Sequence, residues 1–310
     1  MAIVKVMLAA LLSTQVAFTG VAESYPDITT APADLTIPPL ETGPPRPGVR
    51  VAVTPIEYKD TAVHHVLYLP VNWQPDNTYP VLVEYAGNGN YHNEYGDVST
   101  GEVEGSKLGY GLSGGRDYIW LCLPYISEDG AQNQTTWWGD VAATVEYAKR
   151  EVARLCEQWG GDPNKIVLCG FSRGAIACGY IGLHDDEIAA LWSGFIPYSH
   201  YDGVREWPYP DSDKTAAKAR LQRLAGRPSF IIDTSVTTTR AYIESTGIQA
   251  PFSYYVLPFR NHNDAWTLRD IPARRAVRNW LEEILKQREE RQYKFRNVLL
   301  KLILNCEISP

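Results

Sequence analysis

Cysteine is scarce: five in 310 residues, at 122, 156, 169, 178 and 306. That number allows at most two disulfides and leaves one thiol over. No Cys-x-x-Cys or His-Glu-x-x-His spacing occurs, so the sequence gives no support for a structural or catalytic zinc. A basic block is also missing, and the formal net charge is −7. An acidic chain without clustered Lys and Arg offers no footprint for nucleic acid or for an anionic membrane surface. Apolar runs long enough to span a bilayer are absent, because the N-terminal one is interrupted by Ser13, Thr14 and Gln15, and Val298–Leu304 is too short.

What is present describes a large folded unit. The chain is 45% hydrophobic with nine Trp, and 21% charged, which suits a sizeable core and argues against disorder. Residues 1–22 have the features of a secretory leader, with Lys5, the apolar Val6–Leu12, and Gly20-Val21-Ala22 before Glu23. Export is therefore expected, and Asn133-Gln134-Thr135 is a sequon usable in a eukaryotic secretory pathway. Residues 23–48 are proline-rich and should run extended over the domain or as a linker. The domain is expected over 49–290, followed by an extension, 291–310, read as a packed amphipathic helix or an irregular tail.

Within 49–290 the pattern alternates between strand and helix. Val49–Tyr58 and Ala62–Leu69 alternate apolar with polar and suggest an antiparallel opening hairpin. Pro80–Ala86 and Tyr118–Pro124 are nearly continuous apolar runs, as in strands covered on both faces. A helix capped by Asp140 is expected to reach Trp159, where Gly160-Gly161-Asp162-Pro163 stops it. Beyond the elbow described next, strands are expected at 189–197, 228–233 and 252–257, alternating with helices at 216–224, 238–246 and 271–288. Such repeats imply a mostly parallel, doubly wound α/β sheet with helices on both faces.

The most informative stretch is Lys165–Cys178. A short buried strand meets Gly170-Phe171-Ser172-Arg173-Gly174, and a small-residue helix follows at once. A serine on so sharp a turn needs tiny neighbours two residues away, because strand and helix pack closely there. The helix N-terminus would point the N–H of Arg173 at an oxyanion formed near Ser172. Serine needs a positioned base, and the base an orienting carboxylate. Of the histidines at 64, 65, 92, 184, 200 and 262, only His262 follows the last expected strand, in the loop Pro258–Trp266. Asp233, at the end of the strand before it, is the expected acid, with Glu244 and Asp264 weaker choices. The loop Gly87-Asn88-Gly89-Asn90, directly after a buried strand, is expected to give the second oxyanion donor from Asn88 or Gly89.

Gly170-Phe-Ser172-Arg-Gly174, the Ala86-Gly87-Asn88-Gly89 loop, the late Asn261-His262 and the leader together resemble a secreted α/β-hydrolase of the serine esterase kind. The nearest resemblance is to the polyhydroxybutyrate depolymerase and feruloyl or acetylxylan esterase branch, over roughly residues 50–288. The oxyanion loop departs from typical members in lacking their His-Gly. The resemblance implies an α/β-hydrolase fold, a Ser172–Asp233–His262 triad, cleavage of small or polymeric carboxylic esters, and no cofactor. For specificity, Trp137 and Trp138, and His200 and Tyr201, are expected at the carboxyl edge of the sheet, where they would line an acyl or sugar-ring pocket or simply pack. Other readings are a peptidase of the prolyl-oligopeptidase kind, for which no propeller fits in this length, and a silent binding module on a hydrolase fold.

Overall fold

The computed structural model describes residues 25–306. The expected leader, residues 1–22, lies outside them. In chain order the strands are β1 (Leu40–Glu41), β2 (Arg50–Val53), β3 (His65–Tyr68), β4 (Tyr79–Tyr85), β5 (Tyr91–His92), β6 (Val98–Ser99), β7 (Ile119–Leu123), β8 (Gly161–Phe171), β9 (Gly194–Tyr198), β10 (Ser229–Asp233) and β11 (Phe252–Val256). The α-helices are α1 (Leu108–Ser113), α2 (Val141–Trp159), α3 (Arg173–Tyr180), α4 (Asp186–Ala190), α5 (Lys214–Leu221), α6 (Thr237–Thr246) and α7 (Pro272–Cys306).

Nine strands form one sheet in the order β1-β2-β3-β7-β4-β8-β9-β10-β11. β2, β3 and β7 pair antiparallel, with Arg50 opposite Tyr68 and Val66 opposite Cys122, and the pairs from β7 to β11 are parallel. The opening hairpin and the parallel remainder are as the patterning implies. Alternate residues of the central strands face two cores. Val81, Val83, Leu121, Leu123 and Leu168 pack with α2 on one side. Leu82, Trp120, Cys122, Val167 and Cys169 pack with α1 and α7 on the other. Both faces are covered, which is why these strands read as unbroken apolar runs.

Several boundaries differ from the sequence reading. α4 and a loop occupy part of the strand expected over 189–197, and β9 begins only at Gly194; Asp185 caps α4, its Oδ1 accepting the N–H groups of Glu187 and Ile188. The helix expected to stop near Arg288 continues to Cys306. No Gly or Pro follows Pro272 within it, so nothing in the chain breaks it. The short α1 and the β5–β6 hairpin carry too few residues to show a period. Residues 26–34 of the proline-rich segment pack on the domain: Ile28 is buried and Asp34 pairs with Arg274 at 2.5 Å. Cys122, Cys156, Cys169 and Cys178 are free thiols. Among the described residues no helix is long and apolar enough to cross a membrane.

Candidate active site

β8 ends at Phe171, and α3 starts two residues later, with Ser172 between them at φ 55° and ψ −112°. An L residue is held there only where the surroundings over-determine it. The surroundings are backbone. A Cβ on Gly170 would come within 2.2 Å of Gly174, and one on Gly174 within 1.9 Å of the Tyr85 carbonyl oxygen. Both glycines are thus required by the close approach of strand and helix. The Ser172 N–H donates to the Tyr198 carbonyl (3.0 Å), which pins the turn to the neighbouring strand β9.

His262 arrives from the loop after β11, and its Nε2 lies 3.1 Å from Ser172 Oγ. Its ring contacts Phe171, Tyr91 and His200, with centroids 4.8, 4.9 and 5.5 Å away. Burial, reinforced by His200, holds the imidazole pKa down to about 4, while Asp97 pulls the other way. The ring is therefore neutral at pH 7 and can accept a proton.

The expected acid does not face it. Asp233 sits at the end of β10, where its Oδ1 accepts the N–H and hydroxyl of Thr234 (2.7 and 3.3 Å). The group on His262 Nδ1 is Ser199 Oγ, at 2.9 Å. Ser199 follows β9, and its φ of 79° turns the side chain toward the histidine. Of the expected Ser172–Asp233–His262 set, the structure brings Ser172 and His262 together and leaves Asp233 on Thr234, while the residue after β9, one strand nearer Ser172 than β10, meets the imidazole. Asp264 is occupied by Lys107 at 2.8 Å.

The two residues expected as oxyanion donors in the loop after β4 are placed differently. Gly89 N–H is spent on the Thr135 carbonyl (2.8 Å), so Gly89 is not a free donor. Asn88 lines the cleft, its Oδ1 held by the Trp137 N–H at 2.7 Å, and its own N–H makes no hydrogen bond among the described residues. The Arg173 N–H is in the first turn of α3, where helix geometry offers it no acceptor.

Among the described residues the Arg173 side chain makes no ion pair. It is 1% exposed and lies 4.0 Å over the Tyr125 ring. Nη1 donates to the Trp137 carbonyl (2.6 Å) and Nη2 to those of Gly87 (2.9 Å) and Gly101 (3.1 Å). One guanidinium thus ties together three loops that border Ser172, and burial pulls its pKa down to about 10, still charged at neutral pH.

These residues enclose a cleft of about 240 Å³ lined by Asn88, Tyr91, Ser99, Trp137, Ser172, Arg173, Ile176, His200, Trp207 and His262. Trp137 and His200 reach it as expected, and His200 stacks on Trp207 at 5.3 Å. Trp138 and Tyr201 do not. Trp138 is 3% exposed and stacks on Tyr180 inside the core, and Tyr201 packs beside Tyr242. Asn133 of the sequon spends its amide on the backbone of His64, at 2.9 and 3.1 Å. Among the described residues no group of three or more His, Cys, Asp or Glu side chains is placed to hold a metal ion. Sequence reasoning missed Ser199, Asp97, Tyr91 and Trp207. Only Ser199 carried a signal, in falling directly after a strand, and its hydroxyl is not the group looked for.

No protein-family model matches the chain, and no curated protein matches it. Solved structures do. An esterase from Rhizomucor miehei superposes with a TM-score of 0.52 at 12% identity, covering 78% of this chain and 84% of that one. Esterase B from Lactobacillus rhamnosis superposes with a TM-score of 0.51 at 14% identity, covering 84% and 92%. This is an α/β-hydrolase fold. The feruloyl esterase module of Clostridium thermocellum gives a TM-score of 0.50 at 13% identity, over 81% and 94%.

Proposed function

We propose that this chain is a serine hydrolase that cleaves carboxylic esters through an acyl-enzyme, outside the cell. The observation that carries the reading is Ser172 Oγ at 3.1 Å from a neutral, buried His262 Nε2, on a positive-φ turn at the start of a helix. Ser172 Oγ attacks the ester carbonyl carbon while Nε2 takes its proton, and Nδ1–H donates to Ser199 Oγ. The N–H groups of Arg173 and Asn88 are the donors for the tetrahedral oxygen. His262 then returns the proton to the departing alkoxide, and water repeats the sequence to release the acid.

Tyr91, Trp137, His200 and Trp207 give the cleft an aromatic wall suited to a planar acyl group or a sugar ring. Esterases, one of them a feruloyl esterase module, share the fold, which is consistent with such substrates. The leader over residues 1–22 supports export.

The test is turnover of 4-nitrophenyl acetate and methyl ferulate by wild type and Ser172→Ala. Wild-type hydrolysis that falls about 10⁴-fold or more in Ser172→Ala is the expected result. Well-folded wild type that cleaves neither ester and takes up no fluorophosphonate overturns the proposal.

A further inference from the structure

A serine on His262 Nδ1 leaves a chemical question. When Nε2 takes the Ser172 proton the ring becomes a cation, and the hydroxyl of Ser199 carries no charge to balance it. A carboxylate does stand nearby, on the other side of the histidine. Asp97 is the residue directly before β6, is 3% exposed, and forms no ion pair among the described residues.

Its contacts bracket the base. Oδ2 accepts the His262 backbone N–H at 2.7 Å and Asn93 Nδ2 at 2.7 Å. Oδ1 accepts Asn261 Nδ2 at 3.0 Å and also Asn263 Nδ2. Three consecutive residues, 261 to 263, are thereby fixed to one carboxylate from a hairpin more than 160 positions earlier in the chain. All four donors are neutral amides. They satisfy the hydrogen-bonding needs of both oxygens and place no cation against the carboxylate.

We propose that Asp97 is the anionic positioning residue of this site: it fixes the His262 backbone and its charge stabilises the imidazolium formed when Ser172 is deprotonated, the role usually given to a carboxylate on Nδ1. The inference rests on the reading of Ser172 and His262 as nucleophile and base. In that step the Ser172 proton moves to Nε2 and Nδ1–H stays on Ser199 Oγ. The titratable groups around His262 are Asp97 from the hairpin, on its backbone N–H, and Tyr91 from β5 and His200 after β9, against its ring. Asp233 is held on Thr234 and Asp264 on Lys107.

The experiment is the second-order rate of labelling by a fluorophosphonate between pH 3 and 9, read by intact mass, for wild type, Ser172→Ala, Asp97→Asn and Asp233→Asn. A misplaced base and a lost anion together should slow Asp97→Asn about 100-fold. Its acid limb should also move to lower pH, because Asp97 raises the affinity of His262 for a proton. A purely structural role would slow labelling without moving the limb. Asp233→Asn keeps an acceptor for Thr234 and should label within about 3-fold of wild type, with the same limb.

Asp97→Asn that labels like wild type overturns the proposal, as does a slower rate with an unmoved limb. The amide of Asp97→Asn would turn N–H groups toward donors, so that variant is also checked by circular dichroism. If it does not fold, Asp233→Asn decides: an unchanged profile supports Asp97, and a slowed rate with a shifted limb hands the role to Asp233 and overturns the proposal. No labelling of wild type is a different result, which removes the serine hydrolase reading and this inference with it.

Discussion

The two halves of the cleft are built in opposite ways. The Ser172 half is local: five consecutive residues, with Gly170 and Gly174 packed against each other and against the Tyr85 carbonyl, hold Ser172 at φ 55°. The histidine half is assembled from afar. His262 meets Ser199 across 63 positions of sequence and Asp97 across 165, and Asn261 accepts the Ile28 N–H across 233. Steric demand on the Ser172 side restricts which residues fit, whereas the histidine side needs only acceptors of the right shape, and these can come from several strands. The first half should therefore be intolerant of single added atoms, and the second should respond through pH and hydrogen bonding.

The largest effect that would break this comparison is at Gly174. Gly174→Ala places a Cβ 1.9 Å from a buried carbonyl oxygen, and stability should fall by about 3 kcal/mol or more, with loss of activity, as read by urea unfolding. A variant of wild-type stability would show that strand and helix can part, and that the Ser172 half is not the rigid one.

Arg173 comes next, because it extends the same rigidity to the loops. Arg173→Met leaves the buried carbonyls of Gly87, Gly101 and Trp137 without their donor. A loss of about 2–4 kcal/mol in urea unfolding is expected, since each orphaned acceptor costs about 1–3 kcal/mol and the loops relax partly. Arg173→Lys should not restore it, because an ammonium cannot reproduce the planar fork. Full rescue by lysine would mean that charge alone holds the loops.

The smallest effect sharpens the histidine side. With the His262 pKa lowered to about 4, the ring stays neutral well below the usual imidazole range. The acid limb of kcat/KM should thus fall near pH 4 rather than at the usual value of about 6.5. The linkage has the same sign for stability. His65, fully buried against Tyr147, is also lowered, to about 3. Both histidines bind protons more weakly folded than unfolded, so their contribution is complete above about pH 6.5 and is lost as pH falls toward 4 and 3. A limb near 6.5 would place the ring in contact with solvent and undo the buried geometry.

The sequence by itself determined the strand, turn and helix around Ser172, the parallel order of strands that follows it, and the placement of His262 after the last strand. Each rests on something covalent and local: glycine at a close approach, apolar runs in strands buried on both faces, and chain order at one edge of a sheet. It also pointed to Asn88, Trp137 and His200 at the cleft, because loops after strands gather at that edge. It could not separate Trp137 from Trp138, or His200 from Tyr201. Adjacent residues point to different sides, and here Trp137 and His200 line the cleft while Trp138 stacks on Tyr180 and Tyr201 packs beside Tyr242. Nor could it choose the partner of His262. A carboxylate at a strand end is a pattern, but whether it meets a ring depends on side-chain directions set by packing, and here those directions put Ser199 on Nδ1 and Asp97 behind the backbone.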